Sequence, residues 1–303
     1  MRRHSIVFGL LSACLALAAA GQQVRPDEPH LRSDANLVLA PVTVTDARGR
    51  YISDLPNEAF TLLEDGRPQT IRSVSREAAP ISLGIVIDSS GSMAGKWRAT
   101  KIAIASLLGN LEEDDEIFLV TFADSPQAQV GFTQDAAAVS DRLGRLAPAG
   151  STALYDAVVL AVSEMRRARP GRRKALFLVS DGGDNHSRAT ERAVRRLVEE
   201  EDVQVHAIGI HDTMNDMEEK RGPWLLEDLA EMTGGQHYMV RTAGELPGLA
   251  NRIGLALHQQ YVLAYQPESA AAPGKFRRIA VQVRDARNSG RLSVYARRGY
   301  RAP

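Results

Sequence analysis

The middle of the chain alternates short apolar runs with amphipathic stretches. The apolar runs are rich in β-branched residues, as is typical of strands covered on both faces, and they span residues 81–87, 116–122, 174–179 and 203–210. Helical periodicity lies between and after these runs, in residues 96–111, 135–146, 153–169, 189–200, 223–232 and 243–260. Strands that alternate with helices form a mainly parallel sheet. The pattern therefore predicts a doubly wound α/β domain over residues 80–260, with helices on both faces.

The segments on either side of this domain carry strand patterns instead. The pattern predicts strands at residues 38–46, 60–64, 69–74, 261–265, 276–284 and 292–296. Asp65-Gly66 is typical of a hairpin turn of type I′ or a related type. Each segment is too small to bury a core by itself, and the termini of one domain usually lie close together. We therefore expect residues 37–79 and 261–303 to pack on each other as one β-sandwich-like module.

The first 20 residues have the layout of a secretory signal peptide. A basic head precedes an apolar run that ends in three alanines, and this run is too short to span a membrane comfortably. We expect cleavage near Ala20, a linker over residues 21–36, and export to the periplasm, the envelope or the cell exterior. The alternative is a lipoprotein, because Leu11-Ser12-Ala13-Cys14 resembles a lipobox whose cysteine is lipidated.

Composition excludes several classes of protein. The 303 residues include 37 basic and 37 acidic side chains, so no excess charge drives binding to nucleic acid or anionic lipid. With 44% hydrophobic residues the chain is globular, and no later segment is apolar over a membrane-spanning length. Its single cysteine excludes an internal disulfide and a cysteine-ligated zinc site. A metal, if bound, would have oxygen or histidine ligands.

Short oxygen side chains follow the first strand of the α/β domain. Asp88, Ser90 and Ser92 form a D-x-S-x-S pattern at the carboxyl end of this strand, the edge where open α/β sheets bind ligands. Three such side chains at alternate positions of a tight loop can converge on one point. Hard oxygen donors suit Mg²⁺, and also Mn²⁺ or Ca²⁺. Alone, the pattern equally fits an ordinary helix start with Ser92 as the N-cap.

Two later loops complete a family resemblance. Thr152 follows a glycine in Ala149-Gly150-Ser151-Thr152, and Asp181 follows the strand at 174–179. With the D-x-S-x-S loop, they resemble the metal-ion-dependent adhesion site (MIDAS) of the von Willebrand factor A (vWA) domain. The resemblance covers residues 80–260 and implies a Rossmann-like fold. It also implies that Ser90, Ser92 and Thr152 ligate Mg²⁺ directly, while Asp88 and Asp181 act through water or position the ligands.

This resemblance indicates a function. In related domains a Glu or Asp of a protein partner completes the metal shell, which implies a metal-dependent binding or adhesion module. Three neutral hydroxyl ligands agree with this, because they leave the charge of the cation uncompensated. The flanking strands, with Arg298-Gly299-Tyr300, further resemble a secreted group of A-domain proteins abundant in acidobacteria. That group supports the layout and export of this chain more than any particular task.

Two alternatives to a binding module stay open. The motif contains no general base or nucleophile, so we predict no catalytic residue. A metal-dependent hydrolase or an accessory subunit of an envelope enzyme complex is the first alternative, with Asp184 and His186 as the nearest candidates for a base. The second alternative is a structural envelope protein with a vestigial site.

Other signals are weaker. Residues 91–97 follow a strand and include Lys96, but their spacing does not fit a phosphate-binding loop. His206, His211 and His237 lack a close ligand spacing, so they do not predict a second metal site.

Overall fold

The computed structural model describes residues 37–76, 79–210, 221–268, 272–284 and 291–302. The strands are β1 (Val38–Thr45), β2 (Phe60–Glu64), β3 (Arg67–Gln69), β4 (Ile71–Ser75), β5 (Ile81–Asp88), β6 (Glu116–Phe122), β7 (Pro126–Thr133), β8 (Arg173–Ser180), β9 (Gln204–Ile210), β10 (His237–Val240), β11 (Tyr261–Tyr265), β12 (Phe276–Val283), β13 (Ser293–Ala296) and β14 (Gly299–Arg301). The helices are α1 (Trp97–Leu108), α2 (Ala136–Gly144), α3 (Leu154–Met165), α4 (Glu191–Glu200), α5 (Arg221–Thr233) and α6 (Leu246–His258).

Some sequence predictions fall outside these residues. The expected signal peptide and linker, residues 1–36, are among them, and so are Cys14 and His211. Among the helices of the described ranges, none combines the length and the apolar composition that crossing a membrane requires.

A six-stranded sheet forms the centre of the α/β part. Its strand order is β10-β9-β8-β5-β6-β7, and all neighbours are parallel except β6 and β7. Every residue of β5 and β6 is buried, which explains the continuous apolar runs. The predicted fold class is confirmed. The pattern missed β7 and β10, because β7 is a half-exposed edge strand and β10 has only four residues.

Helices cover both faces of this sheet and bury two apolar clusters. One cluster joins α1, α2 and α6 to side chains such as Ile85, and the other joins α3, α4 and α5 to side chains such as Val86. Successive side chains of β5 therefore point to opposite faces, as a strand requires. This packing leaves no space for a side chain at Gly84, since a Cβ there would lie 2.3 Å from the ring of Phe118 and 2.5 Å from Leu176. Only glycine fits without displacing these side chains.

The flanking segments form two antiparallel four-stranded sheets. Their orders are β13-β1-β11-β4 and β14-β12-β2-β3, so each sheet contains two strands from each end of the chain, and these alternate in the first sheet. Apolar residues of both sheets bury one core, in which the rings of Phe60 and Tyr261 lie 4.9 Å apart between their centroids. The predicted β-sandwich-like module, built from both flanking segments, is confirmed. We call these two sheets the β module.

The hairpin in the first segment differs from the prediction. Asp65 and Gly66 have φ angles of +48° and +81°, which suit a type I′ turn. However, the turn leads into the three-residue strand β3, and the next strand, β4, belongs to the other sheet. The prediction of one continuous strand over residues 69–74 is therefore wrong, because this stretch crosses from one sheet to the other.

A buried carboxylate links the two flanking segments. Glu64 ends β2 and is 1% exposed. The hydroxyls of Tyr265 and Tyr300 donate to its Oε2 atom at 2.7 and 2.8 Å, and Arg277 forms an ion pair with it. Burial and the hydrogen bond to Glu64 raise the pKa of Tyr300 to about 12. The side-chain partners of Glu64 within the described ranges thus all come from the last 40 residues of the chain.

Candidate metal centre

Three loops meet at the carboxyl edge of the central sheet. β5 ends at Asp88, and β8 ends one residue before Asp181. These two parallel strands are neighbours, so their ends lie side by side. The loop before α3 reaches the same place, because Ala149 N–H donates to Ser89 O at 2.8 Å and Gly91 N–H donates to Gly150 O at 3.0 Å. The topology therefore brings all three predicted loops to one edge.

The hydroxyl groups of the predicted site lie in this region. The Oγ atoms of Ser90 and Ser92 are 3.1 Å apart, and Ser92 Oγ donates to Asp181 Oδ1 at 2.8 Å. Thr152 Oγ1 lies 4.0 Å from the position that a Cβ on Gly182 would occupy. Ser90 and Thr152 are buried, whereas Ser92 is exposed. The cluster thus opens to solvent on the side of Ser92.

Asp88 lies beneath the cluster and is fully buried. Its Oδ1 accepts the N–H of Ser90 at 2.8 Å, and its Oδ2 accepts the hydroxyl of Ser180 at 2.6 Å. Burial raises the pKa of Asp88 to about 6, against the effect of the hydrogen bonds from Ser180 and Ser90. This carboxylate therefore holds the backbone of the serine loop. Sequence reasoning missed Ser180, although it directly precedes Asp181.

Asp181 joins the serine loop to a lysine. One of its oxygens accepts the Ser92 hydroxyl, and Lys96 Nζ lies 2.7 Å from the other. Lys96 precedes α1, and the sequence alone suggests for it only a place in a phosphate-binding loop whose spacing does not fit. In the fold its ammonium group is paired with Asp181, which agrees with setting that loop aside.

The loop after Asp181 holds the backbone of Thr152. The Thr152 N–H donates to Asn185 Oδ1 at 2.9 Å, and its carbonyl accepts the N–H groups of Asn185 and His186 at 3.0 and 3.2 Å. Asp184 Oδ1 accepts the N–H of Tyr155 at 3.1 Å. Asp184 and His186, the two candidates for a base, thus both take part in the contact between this loop and the loop of Thr152. Asn185 has no ligand-type spacing in the sequence, and only the fold shows its role.

A further acidic residue supports the threonine loop from the other side. Asp124 follows β6, and its Oδ1 accepts the N–H of Ser151 at 2.8 Å. Hydrogen bonds from Ser151 lower the pKa of this exposed carboxyl. Gly150 has a φ of +87°, and a Cβ there would lie 2.8 Å from Asp124. The positive φ favours glycine before Ser151 and Thr152, and a Cβ there would also displace the Asp124 side chain.

The donor set fits a hard divalent cation. Adjacent oxygens of an octahedral Mg²⁺ shell lie about 2.9 Å apart when each is 2.0–2.1 Å from the ion. The observed 3.1 Å between Ser90 Oγ and Ser92 Oγ is close to this spacing. The Thr152 hydroxyl has no hydrogen-bond partner within the described part of the chain, so it is available as a further donor. Over the same part of the chain, no cluster of three or more His, Cys, Asp or Glu offers another metal site.

Comparisons with known proteins agree with this arrangement of loops. The profile of the von Willebrand factor type A domain matches residues 83–252. An uncharacterized protein of Synechocystis sp. is 29% identical over 141 residues, which are 45% of this chain. The chain spans about a third of the length of that curated relative, since the match covers 33% of it.

Solved structures show the same fold. A von Willebrand factor type A protein from Catenulispora acidiphila aligns with a TM-score of 0.53 at 13% identity, covering 86% of this chain and 73% of that one. Proximal thread matrix protein 1 from the mussel byssus, with a zinc-occupied MIDAS motif, aligns at 0.51 and 18% identity, covering 64% and 49%. vWA domains commonly bind a divalent metal at the MIDAS and are typically non-catalytic modules for protein interaction. Because the family profile matches more than half of the chain, the chain belongs to the von Willebrand factor type A domain family.

Proposed function

We propose that this protein is an exported binding module that holds a divalent cation, preferentially Mg²⁺, and captures a carboxylate of a protein or peptide partner. The observation that carries the proposal is the pair of neutral hydroxyls, Ser90 and Ser92, at the carboxyl edge of the sheet. Ser90, Ser92 and Thr152 would hold the ion. When bound, Mg²⁺ supplies an electrophilic centre that accepts further oxygen ligands.

The two aspartates support this assignment by what they contact. Asp88 accepts the Ser90 backbone and the Ser180 hydroxyl, and Asp181 accepts the Ser92 hydroxyl. Carboxylates used in this way orient the hydroxyl ligands. The hydroxyl ligands carry no charge of their own, so the cation would still attract an anionic ligand from a partner. This donor chemistry favours capture of an acidic group.

The metal assignment is tested by titrating the mature protein with Mg²⁺ in a calorimeter. We expect about one ion per chain for the wild type, and loss of binding in Asp88→Ala plus Ser90→Ala. Ser89→Ala is the matched control, because the Ser89 hydroxyl donates to Phe122 O, outside the proposed ligand set. Equal binding by the double variant would show that the ion lies elsewhere.

The partner is tested by affinity capture from envelope extract, with Mg²⁺ or with a chelator, followed by titration of the identified protein. We expect binding to require the divalent ion and to fall by about tenfold or more in Thr152→Ala, with the melting temperature in chelator unchanged. Ser151→Ala controls for the loss of a neighbouring hydroxyl. Binding that is unaffected by both the chelator and Thr152→Ala would show that the interface lies elsewhere on the protein. Metal-dependent turnover of a substrate would favour the hydrolase alternative.

Export is part of the proposal and is tested separately. The basic head and the apolar run that ends in alanines support cleavage near Ala20. The mass of the protein purified from its native host gives the mature N-terminus. A lipidated Cys14 would replace this processing with the lipoprotein route, and a cytoplasmic protein that keeps Met1 would contradict export.

A further inference from the structure

The proposed function does not explain why a lysine ammonium group lies inside the candidate metal centre. Lys96 Nζ is 2.7 Å from Asp181 Oδ2, and the two side chains are only 14% and 1% exposed. The second oxygen of Asp181 accepts the hydroxyl of Ser92, a proposed metal ligand. Exposed ion pairs contribute little, but this pair is largely shielded from water. The charge of the Lys96 ammonium group therefore acts strongly on the candidate metal centre.

The backbone holds Lys96 in this position. The Lys96 N–H donates to Met93 O at 2.9 Å, and its carbonyl accepts both the N–H and the hydroxyl of Thr100. The next residue, Trp97, is buried, and its indole N–H donates to Leu146 O at 3.0 Å. The lysine thus stands at a fixed junction between the serine loop and α1.

The ammonium group has opposite effects on the two states of the centre. Without a metal, the nearly inaccessible carboxylate of Asp181 needs a cation, because an unpaired buried charge is costly. Lys96 provides that cation. With a divalent ion beside Ser92, the ammonium group and the ion lie close together, and their like charges repel. Lys96 should therefore stabilise the metal-free centre and destabilise the metal-bound one.

We propose that Lys96 is the resident counterion of the metal centre. It takes the place of the positive charge of the divalent ion when the ion is absent, and it lowers the affinity of the centre for that ion. The inference rests on the proposed function, because it concerns the same metal. It makes Lys96 a positioning residue that sets the metal affinity without ligating the metal.

Three variants test this inference. Lys96→Met keeps most of the side-chain length without the charge, Lys96→Arg keeps the charge, and Lys101→Met removes a charge one turn further along α1. Calorimetric titration with Mg²⁺ should give a dissociation constant about tenfold lower for Lys96→Met than for the wild type. Lys96→Arg and Lys101→Met should stay within about twofold of the wild type. A general loss of packing would not tighten binding, so the direction of the change is diagnostic.

Melting curves give a second measurement. In a chelator, Lys96→Met should melt below the wild type, and Mg²⁺ should raise its melting temperature more than that of the wild type. Folded Lys96→Met that binds Mg²⁺ as weakly as the wild type, or more weakly, overturns the inference. Lys96→Met that is unfolded in both buffers also overturns it, because tighter binding would have stabilised the fold. A wild type that binds no Mg²⁺ overturns the proposed function instead.

Discussion

Replacing Glu64 by glutamine should destabilise the β module strongly. Glu64 is 1% exposed, and its carboxylate is paired with Arg277, which is itself 6% exposed. Removing one partner of a buried ion pair typically costs 3–5 kcal/mol, because the other charge is left uncompensated. Two features place the cost near the lower end: the amide oxygen can still accept from Tyr265 and Tyr300, and Arg277 keeps a contact of 3.0 Å with Asp65. We expect a loss of about 3 kcal/mol.

The assay is thermal and urea unfolding of the mature protein at pH 7. For a chain of this size, about 3 kcal/mol corresponds to a fall in melting temperature of roughly 6–12 °C. Glu58→Gln is the matched control, since Glu58 is exposed and lies just before β2 in the same segment. Combining Glu64→Gln with Arg277→Met should recover part of the loss, because both charges are then absent. A melting temperature within about 1 °C of the wild type would refute the ion-pair argument.

Three further predictions concern the rest of the fold. Burial lowers the pKa of His206 to about 3, so below about pH 6.5 the unfolded chain takes up a proton that the folded chain does not; this group alone should lower stability by about 1.4 kcal/mol per pH unit down to about pH 3. The raised pKa of Asp88 acts in the opposite direction between pH 7 and 5, so urea midpoints of the wild type and His206→Asn are compared at both pH values, and the wild type should lose about 2 kcal/mol more than the variant. A chain ending at Gln260 should aggregate or become sensitive to protease in residues 37–76, because both sheets of the β module lose an interior strand. Gly235→Ala should prevent stable folding, since its Cβ would lie 1.9 Å from a backbone oxygen, whereas Gly248→Ala, in an open position on α6, should stabilise the protein by about 0.5–1 kcal/mol.

The sequence predicted the central fold because strands that are buried on both faces have nearly continuous apolar sequences. β5, β6, β8 and β9 are buried along nearly their whole length and mainly apolar, and the helices between them show regular periodicity. β7 has no such apolar run, because all of its residues are partly or fully exposed. The sequence pattern predicts one strand in place of the end of β3 and most of β4, because it does not show at which residue the chain leaves one sheet for the other.

The candidate site was predictable to the extent that its residues are close in sequence or follow strands. Asp88, Ser90 and Ser92 form a local pattern, and the fold places Thr152 and Asp181 at the same edge. The supporting contacts were not predictable. Residues such as Ser180, Lys96 and Asn185 acquire their roles from tertiary neighbours, and the local sequence around them does not indicate those contacts.

The positions where the chain enters and leaves the α/β part explain how the candidate metal centre stays accessible. Arg173 begins β8 at the amino edge of the sheet, and there it donates to the carbonyls of Ala79 and Leu257 and to the side chain of Gln260. Ala79 leads into β5, and Leu257 and Gln260 lead from α6 into β11. Both connections to the β module are therefore held at the amino edge, while Asp88 and Asp181 lie at the carboxyl edge. An eight-residue strand such as β5 separates these edges by about 25 Å. The β module can thus be joined twice to the α/β part without covering the face on which a partner would reach the metal.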